Sequence, residues 1–82
     1  MSEPVLTLVS RRDCLLCDEM LEALQAFGAS VPLPPLTRLD VDSDPQLQSR
    51  YGLQVPVLLL NGELVCRFRF DGPALQRRLA GG

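Results

Sequence analysis

The spacing of apolar residues changes once in the first third of the chain. Val5 to Val9 is apolar at nearly every position, which is typical of a strand covered on both faces. After Cys14 the apolar residues recur every three or four positions, as on one face of a helix. That face holds Cys17, Met20, Leu21, Leu24 and Phe27. We therefore predict a buried strand followed by a helix that ends near Gly28.

The middle of the chain predicts a second strand and a short helix. Three prolines between Ala29 and Pro35 indicate an ordered loop. Residues 36–42 alternate well enough for a strand. The next helix starts with Ser43 or Asp44 as N-cap and Pro45 in its first turn, and ends at Gly52. Two strands joined through a helix imply a right-handed parallel crossover.

The last third of the chain predicts a hairpin and a final helix. Asn61-Gly62 suits a two-residue type I′ turn between the two arms of the hairpin. Alternation in the second arm places Leu64, Cys66, Phe68 and Phe70 on one face, opposite Val65, Arg67 and Arg69. Asp71 is the predicted N-cap of a helix with apolar positions at Leu75 and Leu79. The predicted order of elements is βαβαββα.

Size and charge narrow the class of protein. Eighty-two residues with an ordinary apolar fraction predict one domain over residues 1–82. Eight arginines, no lysine and ten acidic residues give a net charge of -2 without a basic stripe, so we expect no nucleic-acid partner. The longest apolar run, residues 53–60, is interrupted and much shorter than the ~20 residues of a membrane helix, so we expect no membrane partner.

The N-terminal residues and the cysteines bear on the cellular compartment. The start of the chain lacks the basic-then-apolar order of a secretory signal. We therefore expect a cytoplasmic protein, in which cysteines stay reduced unless they carry chemistry. We also expect a monomer. Three cysteines cannot all pair within one chain, and a disulfide across the small Cys14–Cys17 loop would restrict the unfolded state very little. A purely structural disulfide is thus a poor explanation of this pair.

The Cys14-Leu15-Leu16-Cys17 motif lies at the predicted junction of strand and helix. Free N–H groups and the positive end of the helix dipole favour a thiolate at Cys14, the candidate nucleophile. Cys17 lies on the same helical face and within reach of a disulfide, which makes it the candidate resolving thiol. Arginines precede the motif, but acidic residues surround it, so we expect a moderate lowering of the Cys14 pKa. We interpret Cys66, on an apolar strand face, as a buried free cysteine without a redox role.

The position of Val55-Pro56 before the hairpin and of the Cys-x-x-Cys motif after the first strand resembles the thioredoxin fold in its small, glutaredoxin-type form. This resemblance covers nearly the whole chain. The stretch Cys14 to Asp18 is similar to that of small bacterial glutaredoxin-like proteins of the DUF836 type. The family implies a three-layer α/β/α fold with a mixed four-stranded sheet of order 4-3-1-2 and strand three antiparallel to the others. It also implies a cis peptide at Val55-Pro56 beside the cysteines.

The resemblance also implies a substrate site. In glutaredoxins the backbone before the cis-proline, here Val55, pairs with the cysteine part of glutathione. Arg11 or Arg12 matches the basic residue before the first cysteine, and Asp71 matches one of two acids at the last helix. Gly72-Pro73 stands where the second acid is expected. The candidate substrate-binding residues are Arg12, Leu15, Val55, Pro56 and Asp71.

Leu15-Leu16 replaces the Pro-Tyr pair that glutaredoxins carry between the cysteines. Two leucines make the rim of the site apolar, which suits a protein or peptide disulfide at least as well as glutathione. The sequence therefore predicts a glutaredoxin-like thiol–disulfide oxidoreductase without a tightly bound cofactor. Its expected partners are protein or peptide disulfides, with glutathione as a candidate co-substrate.

Two other functions remain open at this point. The first is a thioredoxin-like interaction module that keeps the cysteines without efficient turnover. The second is a zinc or iron–sulfur centre shared between two chains, because a zinc site usually needs four ligands and one chain supplies three cysteines and no histidine.

Overall fold

The computed structural model describes residues 3–81, so Met1, Ser2 and Gly82, at the ends of the predicted domain, lie outside the described residues. The strands are β1 Leu6–Ser10, β2 Leu36–Asp40, β3 Val57–Leu60 and β4 Glu63–Arg67. The helices are α1 Leu15–Gly28, α2 Pro45–Tyr51 and α3 Gly72–Gly81, and a 3₁₀ turn spans Val41–Ser43. The predicted βαβαββα order is confirmed. No helix among the described residues has the length and apolar character needed to cross a membrane.

The four strands form one sheet in the order β2-β1-β3-β4. β1 runs parallel to β2, whereas β3 is antiparallel to both β1 and β4. This is the predicted order 4-3-1-2 with strand three antiparallel to the others. Leu8 of β1 lies opposite Leu58 of β3 at the centre of the sheet, and both are fully buried. The buried β1 therefore holds the base of the loop that leads to Cys14.

Apolar side chains cover both faces of the sheet. On one face α1 and α3 pack against β1 and β3, and the buried residues there are Leu6, Leu8, Met20, Leu24, Leu58, Leu60 and Leu75. On the other face the buried residues are Val9, Val41, Val57 and Leu59, packed against Leu47, Tyr51 and Val55. Because α2 supplies two of these neighbours, helices lie on both faces, as predicted. Burial on both faces explains why β3 is apolar at every position and β1 at three of its five.

The second strand ends earlier than predicted. β2 stops at Asp40, and Val41–Ser43 forms a 3₁₀ turn instead of its last residues. The Asp40 carboxylate accepts a hydrogen bond from the Asp42 N–H at 2.9 Å, and the Ser43 hydroxyl donates to the Asp40 carbonyl at 2.7 Å. Such local bonds compete with the strand ladder. Of the two predicted N-caps of α2, Asp44 is the one observed, since it accepts from the Gln46 N–H at 2.8 Å.

The predicted faces of β4 are wrong. Leu58 pairs with Cys66 but Leu59 pairs with Leu64, so Val65 is an extra residue in the strand. This bulge lets Val65 and Cys66 both pack against the core, while Leu64 is exposed. A bulge places two residues opposite one and shifts the alternation on either side of it. Phe68, predicted on the apolar face, is also largely exposed.

Candidate functional site

Cys14 and Cys17 form a disulfide at the start of α1, with their Cα atoms 5.2 Å apart. Cys14 is the N-cap of the helix and has extended backbone angles. Its sulfur accepts a hydrogen bond from the Cys17 N–H at 3.2 Å, and its carbonyl accepts from the Asp18 N–H at 3.0 Å. A free N–H at the positive end of a helix is thus aimed at the Cys14 sulfur, where it can stabilise a thiolate.

The two sulfurs differ in accessibility. Cys17 is only 3% exposed, because it lies on the buried face of α1 with Met20 and Leu24. Cys14 is half-buried, and Leu15 next to it is 73% exposed. An incoming disulfide therefore meets Cys14 before Cys17.

A tight turn precedes Cys14, and Asp13 within it has a φ of 54°. This left-handed conformation is uncommon for residues other than glycine, although aspartate adopts it more readily than most. The turn reverses the chain between β1 and α1 and so sets where the first cysteine lies. The sequence carries only a weak signal for it, namely an aspartate directly before the cap.

The two arginines before the motif have different surroundings. Arg11 binds Asp42 through two hydrogen bonds, Nε to Oδ2 at 2.9 Å and Nη2 to Oδ1 at 3.2 Å, and donates from Nη1 to the Gly52 carbonyl at 3.1 Å. These bonds lower the pKa of Asp42, to which Gln48 also donates, and raise that of Arg11. Both arginines line a groove of about 370 Å³ beside the turn, and Arg12 is the more exposed of the two.

Val55 and Pro56 lie between α2 and β3, and their peptide bond is cis. Pro56 is buried, and its carbonyl accepts a hydrogen bond from the Phe68 N–H at 2.8 Å. The side chain of Val55 packs on the core beneath the sheet. Neither the paired strands nor the loop and turn hydrogen bonds of the described chain involve the main chain of Val55.

Hydrogen bonds between loops join the Cys14 loop, the Val55-Pro56 segment and the loop after β4. Arg11 reaches Gly52, the Arg67 guanidinium lies 3.4 Å from the Gln54 side-chain oxygen, and Phe68 is bound to Pro56. A groove of about 290 Å³ runs between α1 and the loop after β4, lined by Leu16, Glu19, Met20, Ala23, Phe68, Arg69 and Phe70. The structure thus brings the Cys14 loop and the Val55-Pro56 segment to the same end of the sheet.

Two exposed apolar residues of this surface were missed by the sequence analysis. Leu53, two residues before Val55, is 96% exposed, and Phe68 is 43% exposed at the groove beside Leu16. Leu15 at the start of α1 is the third apolar side chain exposed to solvent near this end of the sheet. The sequence signal for an exposed Leu53 is its place in the short loop between the end of a helix and the Val-Pro pair.

Asp71 directly precedes α3, and Cys66 lies in β4. The Asp71 carboxylate accepts from the Ala74 N–H at 3.0 Å, which confirms the predicted cap. Burial raises the pKa of the Cys66 thiol. None of the Asp71 hydrogen bonds in the described chain reaches the disulfide. Within residues 3–81, no three cysteine or acidic side chains form a group able to hold a metal ion.

A β2-β1-β3-β4 sheet with a Cys-x-x-Cys disulfide at the start of its first helix defines a thioredoxin-fold protein of the glutaredoxin-like class. Its family follows from the sequence as well. The model of the glutaredoxin-like domain family (DUF836) matches residues 5–80, and the chain belongs to this family.

Several solved structures are similar over most of the chain. Target protein XcR50 from X. campestris is 38% identical, with 94% of this chain and 97% of that chain covered and a TM-score of 0.71. Protein Ne2328 from Nitrosomonas europaea is 22% identical, with 95% and 93% covered and a TM-score of 0.81. Mitochondrial thioredoxin 3 from Saccharomyces cerevisiae is 17% identical, with 100% and 81% covered and a TM-score of 0.67. At these low identities, the similarity to Ne2328 and to thioredoxin 3 shows only a shared fold.

Proposed function

We propose that the protein is a thiol–disulfide oxidoreductase in which Cys14 is the nucleophile and Cys17 the resolving thiol. The observation that carries this proposal is an accessible sulfur at a helix N-terminus, bonded to a buried sulfur one turn further on. The Cys17 N–H favours the thiolate at Cys14. Family membership and the Cys14–Cys17 disulfide both fit redox chemistry.

The reaction proceeds by two thiol–disulfide exchanges. The Cys14 thiolate attacks one sulfur of the substrate disulfide, forms a mixed disulfide and releases the other sulfur as a thiolate, which takes up a proton. Cys17 loses its proton and attacks the Cys14 sulfur, so the second substrate thiol leaves. The substrate gains two electrons and two protons, and the protein is left with the Cys14–Cys17 disulfide. A thiol or dithiol reductant then returns the protein to the dithiol form.

The surroundings of Cys14 favour a protein or peptide disulfide as substrate. The unused main chain of Val55 offers an N–H and a C=O to an extended segment, in the manner of an added strand. Exposed Leu15, Leu53 and Phe68 suit apolar side chains on such a segment. Arg12, exposed two residues before Cys14, offers a guanidinium to an acidic group of the substrate. Glutathione, which has few apolar atoms, would use less of this surface.

The test compares reduction of insulin with reduction of a glutathione mixed disulfide, with dithiothreitol as the electron source. We expect turnover by the wild type, loss of turnover in Cys14→Ser, and a preference for insulin. Cys66→Ser is the matched control, because it removes a thiol outside the motif and should keep the activity. The proposal fails if the wild type and Cys14→Ser are equally inert with both substrates.

A trapping experiment assigns the two cysteines separately. Cys17→Ser should stop after the first exchange and hold the substrate on Cys14, which intact mass and peptide mapping would detect. A trapped substrate on Cys66 would reverse the assignment of the nucleophile.

A further inference from the structure

We propose that Arg11 is a positioning residue of this site, which fixes the Val55-Pro56 segment relative to the loop that carries Cys14. The inference rests on the proposed function, since it concerns how that site holds its substrate. In the sequence, Arg11 and Arg12 are equivalent candidates for contact with the substrate. Arg11 has a different role here, because it positions the site and does not touch the substrate.

One guanidinium joins three parts of the chain. Its two hydrogen bonds to Asp42 hold the turn after β2, and its third bond holds the Gly52 carbonyl at the end of α2. Asp42 is itself held by the Gln48 side chain of α2 at 3.0 Å. The loop before Cys14 is therefore fastened to a small network that includes α2. The planar guanidinium can serve these acceptors at once because its donors are spread over three nitrogens, whereas lysine carries all its donors on one.

The Gly52 carbonyl is a fixed acceptor because Gly52 itself is tightly packed. Its N–H donates to the Gln48 carbonyl at 2.9 Å, and a Cβ added to Gly52 would lie 2.4 Å from that same oxygen. Only glycine fits at this approach without a backbone shift. The carbonyl that Arg11 binds thus has little freedom to move away from α2.

Val55 lies between two anchored carbonyls. On its N-terminal side Arg11 binds Gly52, and on its C-terminal side Phe68 binds Pro56. Within residues 3–81 no hydrogen bond engages the main chain of Val55, which leaves it for a substrate. Without Arg11 the segment keeps the Phe68–Pro56 bond and the bond from the Gln54 N–H to the Tyr51 carbonyl, but it is no longer fastened to the loop that carries Cys14. Val55 should therefore lie less often in the binding geometry relative to Cys14. Such a loss weakens substrate binding without changing the reactivity of Cys14.

The first experiment separates binding from chemistry in Arg11→Gln. With insulin, we expect KM to rise roughly threefold to tenfold while kcat stays within about twofold. With hydroxyethyl disulfide, a small substrate that lacks a peptide backbone, we expect the rate to stay within about twofold of the wild type. Arg77→Gln, a change of an exposed arginine on α3, is the control for loss of charge and should leave both rates unchanged.

Two further variants test the geometry. Arg11→Lys keeps the charge but not the fork of donors, so it should recover only part of the lost affinity. Gly52→Ala displaces the carbonyl while the charges stay in place, and should raise KM as Arg11→Gln does. An equal loss of rate with both substrates, or an unchanged KM for insulin in Arg11→Gln, would overturn the proposal.

A measurement that needs no turnover tests the role of Arg11 independently of the proposed function. The amide resonances of Leu53, Gln54 and Val55 should shift in Arg11→Gln but not in Arg77→Gln. Hydrogen exchange at Gln54, whose N–H donates to the Tyr51 carbonyl, should also quicken in Arg11→Gln alone. If the wild type proves inert with every disulfide, the proposed function fails, and the amides still decide whether Arg11 holds the segment. Unchanged amides at these three residues would disprove the positioning role.

Discussion

The main-chain N–H of Phe68 donates a hydrogen bond to the Pro56 carbonyl at 2.8 Å, and so joins the loop after β4 to the segment before β3. Phe68 makes this bond with a φ of 67°, in the left-handed region that bulky side chains rarely adopt. Its ring is 43% exposed at the groove beside Leu16. Burial in the core therefore does not account for a phenylalanine in this conformation.

The backbone at position 68 should prefer glycine. We predict that Phe68→Gly has a free energy of unfolding about 1 kcal/mol higher than that of Phe68→Ala, because alanine keeps the left-handed strain and glycine relieves it. Both variants remove the ring, so the lost apolar contact cancels in the comparison. Urea unfolding of the two variants provides the measurement. Equal stabilities, or a more stable alanine variant, would contradict the strain at this position.

A second backbone prediction concerns the hairpin turn. Gly62 has a φ of 82°, and an added Cβ would meet nothing within 4 Å, so only the backbone angle opposes a side chain. We predict that Gly62→Ala lowers the free energy of unfolding by about 1 kcal/mol. Gly81→Ala is a matched control, since Gly81 has equally open surroundings and no positive φ. Urea unfolding should leave the control unchanged or slightly more stable; a loss equal to that of Gly62→Ala would point to a cause other than φ.

The elements of the fold were predictable because their signals are local. Asn61-Gly62 forms the expected hairpin turn, Asp71 caps α3, and the face with Met20 and Leu24 is buried. The bulge at Val65 was not predictable, because it depends on how β3 and β4 pair and leaves no signal in the sequence of β4 alone. The early end of β2 likewise depends on side-chain bonds of Asp40 that compete with a strand.

The candidate site was predictable only in part. The spacing of Cys14 and Cys17 and their place at a helix start follow from the motif and the periodicity after it. The sequence could not separate Arg11 from Arg12, because the partner Asp42 lies 31 residues away. Long-range pairs of this kind appear only once the sheet is assembled. The left-handed turn at Asp13 was likewise not predictable, because many aspartates precede helices without adopting this conformation.

Asp42 should make stability depend on pH at the acidic end. Hydrogen bonds from Arg11 and Gln48 hold the pKa of Asp42 below its ordinary value, and the unfolded chain lacks these bonds. The ionised carboxylate therefore stabilises the fold above the ordinary pKa of about 4, and this contribution is lost as the pH falls through the lower folded pKa. We predict that the difference in free energy of unfolding between wild type and Asp42→Asn shrinks as the pH falls from about 6 to about 2.

The control for this titration is Glu22→Gln, which removes one negative charge from the exposed side of α1. Chemical denaturation at a series of pH values measures both differences. If the difference in free energy of unfolding between wild type and Asp42→Asn stays constant over this pH range, the ion pair does not couple to folding.

The three thiols of the reduced protein should differ in their rates of alkylation by iodoacetamide. Cys14 is half-buried, as Cys66 is, but it receives the Cys17 N–H, whereas Cys17 is buried. Cys66 is half-buried, and burial raises its pKa, so little of it is thiolate near neutral pH. We predict that Cys14 is labelled first, at least about ten times faster than Cys66 at about pH 7, since the thiolate is the reacting form.

Peptide mapping after short labelling times measures these rates, and the same reaction in urea gives the rate of each unfolded thiol. In urea the three rates should become similar, because burial and the helix N-terminus are both lost. The oxidised protein provides a further control, in which only Cys66 is free to react. Faster labelling of Cys17 or Cys66 than of Cys14 in the folded, reduced protein would remove the physical basis for choosing Cys14 as the nucleophile.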